Sequence, residues 1–131
     1  MKRRPSQFKA KMIRSDQSSA QYLERAVGYK TDGKYEEALG ELHALLAQSP
    51  EHPEAHHQIG LILGFTGDFD QSLAELRRAV ELEPESTLLR NDLALTYTML
   101  GMYDEAKEQF ACVLERDREN QVALRNLTYF Q

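Results

Sequence analysis

Gly33-Lys34-Tyr35-Glu36-Glu37-Ala38-Leu39, Gly67-Asp68-Phe69-Asp70-Gln71-Ser72-Leu73 and Gly101-Met102-Tyr103-Asp104-Glu105-Ala106-Lys107 are three copies of one phrase, set 34 residues apart. Each has a glycine, an aromatic ring two residues on and a small residue five residues on (Ala38, Ser72, Ala106). A fixed period of this size marks a stacked repeat array, whose units cannot bury their apolar faces without a neighbour.

The period extends outward from the glycines. Pro50 and Pro84 close the first two units at one offset, where the third carries Arg118. Upstream lie Tyr22-x-x-Arg25-Ala26-x-x-Tyr29, His56-x-x-Ile59-Gly60-x-x-Leu63 and Arg90-x-x-Leu93-Ala94-x-x-Tyr97. These blocks resemble the W-x-x-L-G-x-x-Y pattern of the tetratricopeptide repeat, with His56 and Arg90 standing where that pattern has tryptophan. The resemblance implies an all-α, right-handed α-solenoid of antiparallel helix pairs. It divides the chain into a basic N-terminal tail (1–18) and repeats at 19–52, 53–86 and 87–120, followed by a terminal helix at 121–131.

Local chemistry sets the helix limits. The sequence predicts helices at about 19–32, 35–48, 53–66, 69–82, 87–100 and 103–116, and a last one from about 121. Gly33, Gly67 and Gly101 supply the left-handed residue that ends a helix, Pro53 suits a first helical turn, and Ser86 and Asn120 suit N-caps. Pro50 and Pro84 stop the helices before them. The second helices carry apolar stripes: Leu39, Leu42, Leu45 and Leu46, then Leu73, Leu76, Ala79 and Val80, then Phe110, Val113 and Leu114. Gly28, Gly40, Gly60 and Gly64 fall inside helices, where each costs up to about 1 kcal/mol relative to alanine, so modest stability is expected.

At 131 residues, 41% hydrophobic and 28% charged, the chain suits one soluble domain, and no apolar run reaches the roughly 18 residues of a membrane span. The start of the chain lacks the apolar stretch of a secretory signal, and Cys112 is the only cysteine; a reducing compartment, the cytoplasm, is expected. The net charge of −5 conceals an asymmetry: residues 1–18 hold six bases and one acid, and residues 19–131 hold ten bases and twenty acids. The tail reads as a solvated leader, as a short helix presenting Phe8 and Met12, or as a basic patch for nucleic acid or anionic membrane. The acidity of the body weighs against the last.

The resemblance places a peptide-binding groove on the first helices of the pairs. The residues it implies there include Glu24 and Val27, then Glu54, His57, Gln58, Leu61 and Phe65, then Asn91, Asp92, Leu95 and Met99. An apolar floor with acidic and amide groups suits a peptide with apolar anchors and a basic residue. The equally bland reading of Met99 and Phe65 is packing between helices. Family members that clamp the terminal carboxylate of heat-shock chaperones carry Lys and Asn on the first helix, Asn on the third, and Lys and Arg on the fifth. Those places here hold Leu23, Val27, Gln58, Leu88 and Asp92, and Asp92 repels a carboxylate.

The sharpest chemical alternative is His52-Pro53-Glu54-Ala55-His56-His57, where His52 and His56 have the spacing of two metal ligands on one helical face. Against it, His52 precedes the predicted helix and no cysteine is near, so no metal site is expected. No nucleophile triad, phosphate loop or dinucleotide fingerprint is present by spacing, and no enzymatic activity or cofactor is implied. Cys112 reads as a half-buried, inert thiol. In the last helix Val122, Ala123, Leu124, Leu127 and Phe130 form an apolar pattern that calls for a cover, a second copy of the chain among the candidates. The sequence thus points to a non-enzymatic scaffold that takes a protein or peptide ligand. A basic-tailed adaptor and a histidine metal site are the alternatives.

Overall fold

A computed structural model describes residues 19–130; the tail, with every reading made on it, and Gln131 lie outside the described residues. Seven helices and their turns account for the described residues, with no strand among them. They are α1 (19–31), α2 (Tyr35–Gln48), α3 (Pro53–Phe65), α4 (Phe69–Leu82), α5 (Thr87–Met99), α6 (Tyr103–Arg116) and α7 (Gln121–Tyr129). This is the all-α arrangement of helix pairs that the period implied, and the observed limits differ from the predicted ones by about one residue. No helix among the described residues is long and apolar enough to cross a membrane.

The recurring glycine makes the same turn three times. Gly33, Gly67 and Gly101 have φ of 76°, 88° and 77°, the left-handed region that a β-carbon disfavours. After each, the next N–H reaches back to the carbonyl five residues earlier: Lys34 to Tyr29 at 2.8 Å, Asp68 to Leu63 and Met102 to Tyr97 at 2.9 Å. The glycine N–H donates to a carbonyl three residues back, at 3.0 Å for Gly33, 3.3 Å for Gly67 and 3.1 Å for Gly101. This Schellman pattern satisfies the last helical carbonyls and feeds the chain straight into the next helix.

The other junctions are set by side chains. Ser86 Oγ accepts the Leu89 N–H at 3.2 Å and Asn120 Oδ1 accepts that of Ala123 at 3.1 Å, so both act as N-caps. His52 does the same work ahead of α3, its Nδ1 accepting the Ala55 N–H at 3.2 Å.

The described residues form two compact units divided between Ala55 and His56, within the first turn of α3. In the first unit Ala26, Ala38, Leu42, Leu45 and Ala55 are buried, and Arg25 bridges to Glu41 at 3.0 Å. That hydrogen bond holds the Arg25 guanidinium above its ordinary pKa.

In the second unit the core joins Leu73, Leu76, Ala79 and Val80 of α4 to Leu89, Leu93, Ala94 and Tyr97 of α5. Ala106, Phe110 and Val113 of α6 and Ala123 of α7 complete it. Burying each large apolar side chain contributes about 1.5–3 kcal/mol. Gly60 departs from the expected propensity cost. A β-carbon there would stand 2.7 Å from Leu76 Cγ and 3.3 Å from the Ser72 carbonyl oxygen, so the glycine is what lets α3 and α4 approach. Gly28 and Gly40 have nothing within 4 Å of that position, and their cost stands.

The last helix also differs from expectation. Ala123 is buried, while Leu127 and Phe130 pack against the core, Phe130 with its ring 5.5 Å from Tyr103 and under the Lys107 ammonium. Only Val122 and Leu124 of the predicted apolar pattern remain exposed, because α6 covers the other side.

Candidate functional site

The second unit holds a cleft of about 180 Å³ between α3 and α5. Helical spacing builds it: Leu61 and Phe65 are one turn apart on α3, and Asp92, Leu95 and Met99 fall on one stripe of α5. Ser72 of α4 and the backbone of Gly60 and Gly64 form its back. Ser72 is buried, and its Oγ donates to the Gly60 carbonyl at 2.6 Å, fixing α4 behind the two glycines. A β-carbon on Gly64 would meet only Ser72 Oγ, at 3.5 Å, so the room is real at that position. At the rim, Phe65 and Met99 are 65% and 67% exposed.

The polar element of the cleft is Asp92. His57, one turn before Leu61 on α3 and only 4% exposed, places Nε2 at 2.6 Å from Asp92 Oδ2. His57 Nδ1 is buried without a hydrogen-bond partner. Facing a carboxylate oxygen, Nε2 is the donor of that bond. A hydrogen bond of this kind orients the carboxylate and leaves its charge in place.

Five of the candidate residues from the sequence, Leu61, Phe65, Asp92, Leu95 and Met99, thus meet in one cleft, and His57 serves it through Asp92. Gln58 and Asn91 are buried. Asn91 Nδ2 donates to Asn120 Oδ1 at 3.0 Å, which ties α5 to the cap of α7. Glu24, Val27 and Glu54 belong to the first unit, where all three are exposed.

The histidine pair divides its work. His52 Nδ1 caps α3, and His56 Nδ1 lies 2.6 Å from Glu75 Oε2. No group of three His, Cys, Asp or Glu side chains fit to hold a metal occurs among the described residues. Cys112 is half-buried on α6. The cap at His52 and the bond between His57 and Asp92 were the features that spacing did not disclose. The register that sets α3 beside α5 is the one signal that places residues 57 and 92 near each other.

Residues 66–128 match the tetratricopeptide repeat family. Among solved structures, the first tetratricopeptide domain of Spaghetti (RPAP3), bound to the HSP90 peptide SRMEEVD, is similar at 22% identity and a TM-score of 0.79, over 86% of this chain and 90% of that one. The second such domain of human RPAP3, in complex with the HSP70 peptide SGPTIEEVD, has 19% identity and a TM-score of 0.79, over 88% and 96%. A Thermobaculum terrenum O-GlcNAc transferase mutant is matched at 23% identity and a TM-score of 0.76, over 84% of this chain and 21% of that protein. No protein of curated function matches the chain by sequence.

Proposed function

We propose that this chain, whose residues 66–128 match the tetratricopeptide repeat family and whose fold is similar to solved domains of that family over most of its length, is a non-enzymatic scaffold that holds a peptide or protein segment in the cleft between α3 and α5. The observation that carries this reading is the cleft itself: apolar side chains converge on one carboxylate, with Phe65 and Met99 left largely in water at its rim. Exposed aromatic and methionine side chains beside a preformed concavity favour adaptable peptide recognition. That peptides were bound to two of the similar domains supports the class of ligand. Asp92 argues against the carboxylate-terminated peptides those domains hold, since the cleft would bring two negative charges together. The same reading divides the described chain into helix pairs at 19–52, 53–86 and 87–120 with a further helix from 121, and a single half-buried cysteine favours the cytoplasm.

The test is capture from a lysate of the source cell with wild type beside Leu61→Glu/Met99→Glu, both shown helical by circular dichroism. Partners lost from the folded variant support the cleft; partners retained equally count against it. A second reading has its own observation: Val122, Leu124 and Tyr129 of α7 are 40%, 41% and 81% exposed, which favours a homodimer through this helix. Sedimentation that finds only monomer over a wide concentration range refutes it.

A further inference from the structure

We propose that the cleft selects a basic–apolar segment, in which one large apolar side chain enters between α3 and α5 while a neighbouring lysine or arginine pairs with Asp92. This rests on the reading of the cleft as a peptide site and specifies its ligand.

Size and lining call for the apolar part. An apolar cavity of about 150 Å³ is enough to hold a benzene ring, and the cleft offers about 180 Å³ walled by Leu61 and Leu95. The missing side chain at Gly64 leaves room at its back beside Ser72. Phe65 and Met99 can then close over an inserted leucine, phenylalanine or methionine, removing apolar surface from water on both partners.

Charge calls for the basic part. Asp92 has a side-chain exposure of 22%, intermediate between a solvated surface acid and a buried one. His57 Nε2 orients it by a hydrogen bond to Oδ2, so its carboxylate faces an incoming ligand. A charge in that setting is screened less than one on the open surface. None of the residues lining the cleft is basic, and residues 56–131 carry seven bases against thirteen acids. The local carboxylate and the wider field have one sign, which draws cations toward the cleft and disfavours acidic segments.

The test uses the full chain and three labelled octapeptides with one leucine pattern, their leucines flanked by lysine, by glutamate or by serine, read by fluorescence anisotropy. The expected result is a lysine peptide bound about tenfold or more tighter than the glutamate peptide, with the difference shrinking as salt is raised. Asp92→Asn keeps an oxygen for His57 and removes the charge. It is expected to cut the lysine-to-glutamate ratio severalfold, each peptide being measured against the serine peptide on the same variant. A ratio unaltered by Asp92→Asn, or a lysine peptide that does not bind, overturns the inference. Gly64→Leu, which fills the cleft, separates this from the underlying reading. If it abolishes binding of the serine peptide while Asp92→Asn leaves the ratio alone, the cleft is a site and the selectivity is wrong. If it leaves all three peptides bound as before, the cleft reading falls as well.

Discussion

His57 and Asp92 are 35 residues apart in sequence and 2.6 Å apart in space, one hydrogen bond joining α3 to α5 beside the cleft. The bond has a buried donor and a charged, partly buried acceptor, the class of hydrogen bond that contributes about 1.5–3 kcal/mol. His57→Ala removes the donor and leaves both a void and an unpaired carboxylate, so a loss of about 2–4 kcal/mol is expected in urea unfolding. Asp92→Asn retains an acceptor, and its loss is expected to stay near or below about 1 kcal/mol. Equal effects of the two substitutions would show that the pair does not link the helices.

Gly60 and Gly64, one turn apart, are expected to respond oppositely to alanine. At Gly60 the new methyl would lie 2.7 Å from Leu76 Cγ, and because Leu76 is itself buried it has little room to move. Overpacking of this kind costs about 1–3 kcal/mol, more than the helix propensity that alanine returns. At Gly64 the methyl meets Ser72 Oγ at 3.5 Å, an ordinary contact, so Gly64→Ala is expected to stabilise by about 0.5–1 kcal/mol while narrowing the cleft. Thermal melts of the two variants beside wild type decide this. A stabilised Gly60→Ala would mean that α3 and α4 do not approach as closely as described.

The contrast between these glycines shows where sequence reading reaches and where it stops. Gly33, Gly67 and Gly101 were legible as helix ends because a left-handed turn is a local requirement that glycine meets almost alone. Ser86 and Asn120 were legible as caps for the same reason. The meeting of Leu61, Phe65, Asp92, Leu95 and Met99 follows from the repeat register, since a fixed period sets which faces of α3 and α5 confront each other. Partners of buried polar groups do not follow from a period. Nothing in the spacing distinguishes His57, which serves Asp92, from His56, which meets Glu75. The spacing of His52 and His56 suggests shared ligands, yet His52 spends its lone pair on the Ala55 N–H, a role seldom taken by histidine. Whether a helical glycine is a cost or a necessity likewise depends on what stands opposite, which for Gly60 is a side chain 16 residues away.

The two side-chain caps of the second unit are expected to differ in weight, although they make the same bond to the backbone. Ser86 Oγ accepts from Leu89 N and so contributes about 1 kcal/mol, as caps commonly do. Asn120 Oδ1 accepts from Ala123 N and also from Asn91 Nδ2, and Asn91 is only 6% exposed with its own Oδ1 already unpartnered. Removing Asn120 therefore ends a cap and strands a second buried amide group at once. Asn120→Ala is expected to cost about 2–4 kcal/mol in urea unfolding, against about 1 kcal/mol for Ser86→Ala. Asn120→Asp keeps both acceptances but replaces the Nδ2 that donates to Asp117 Oδ2 at 3.2 Å with a second carboxylate oxygen, so it should recover only part of the difference. Replacing Asn91 by leucine in the Asn120→Ala background removes the stranded amide, so the double variant should be no less stable than Asn120→Ala alone. A double variant markedly less stable than that single one would assign the cost to packing between α5 and α7 rather than to the orphaned polar group.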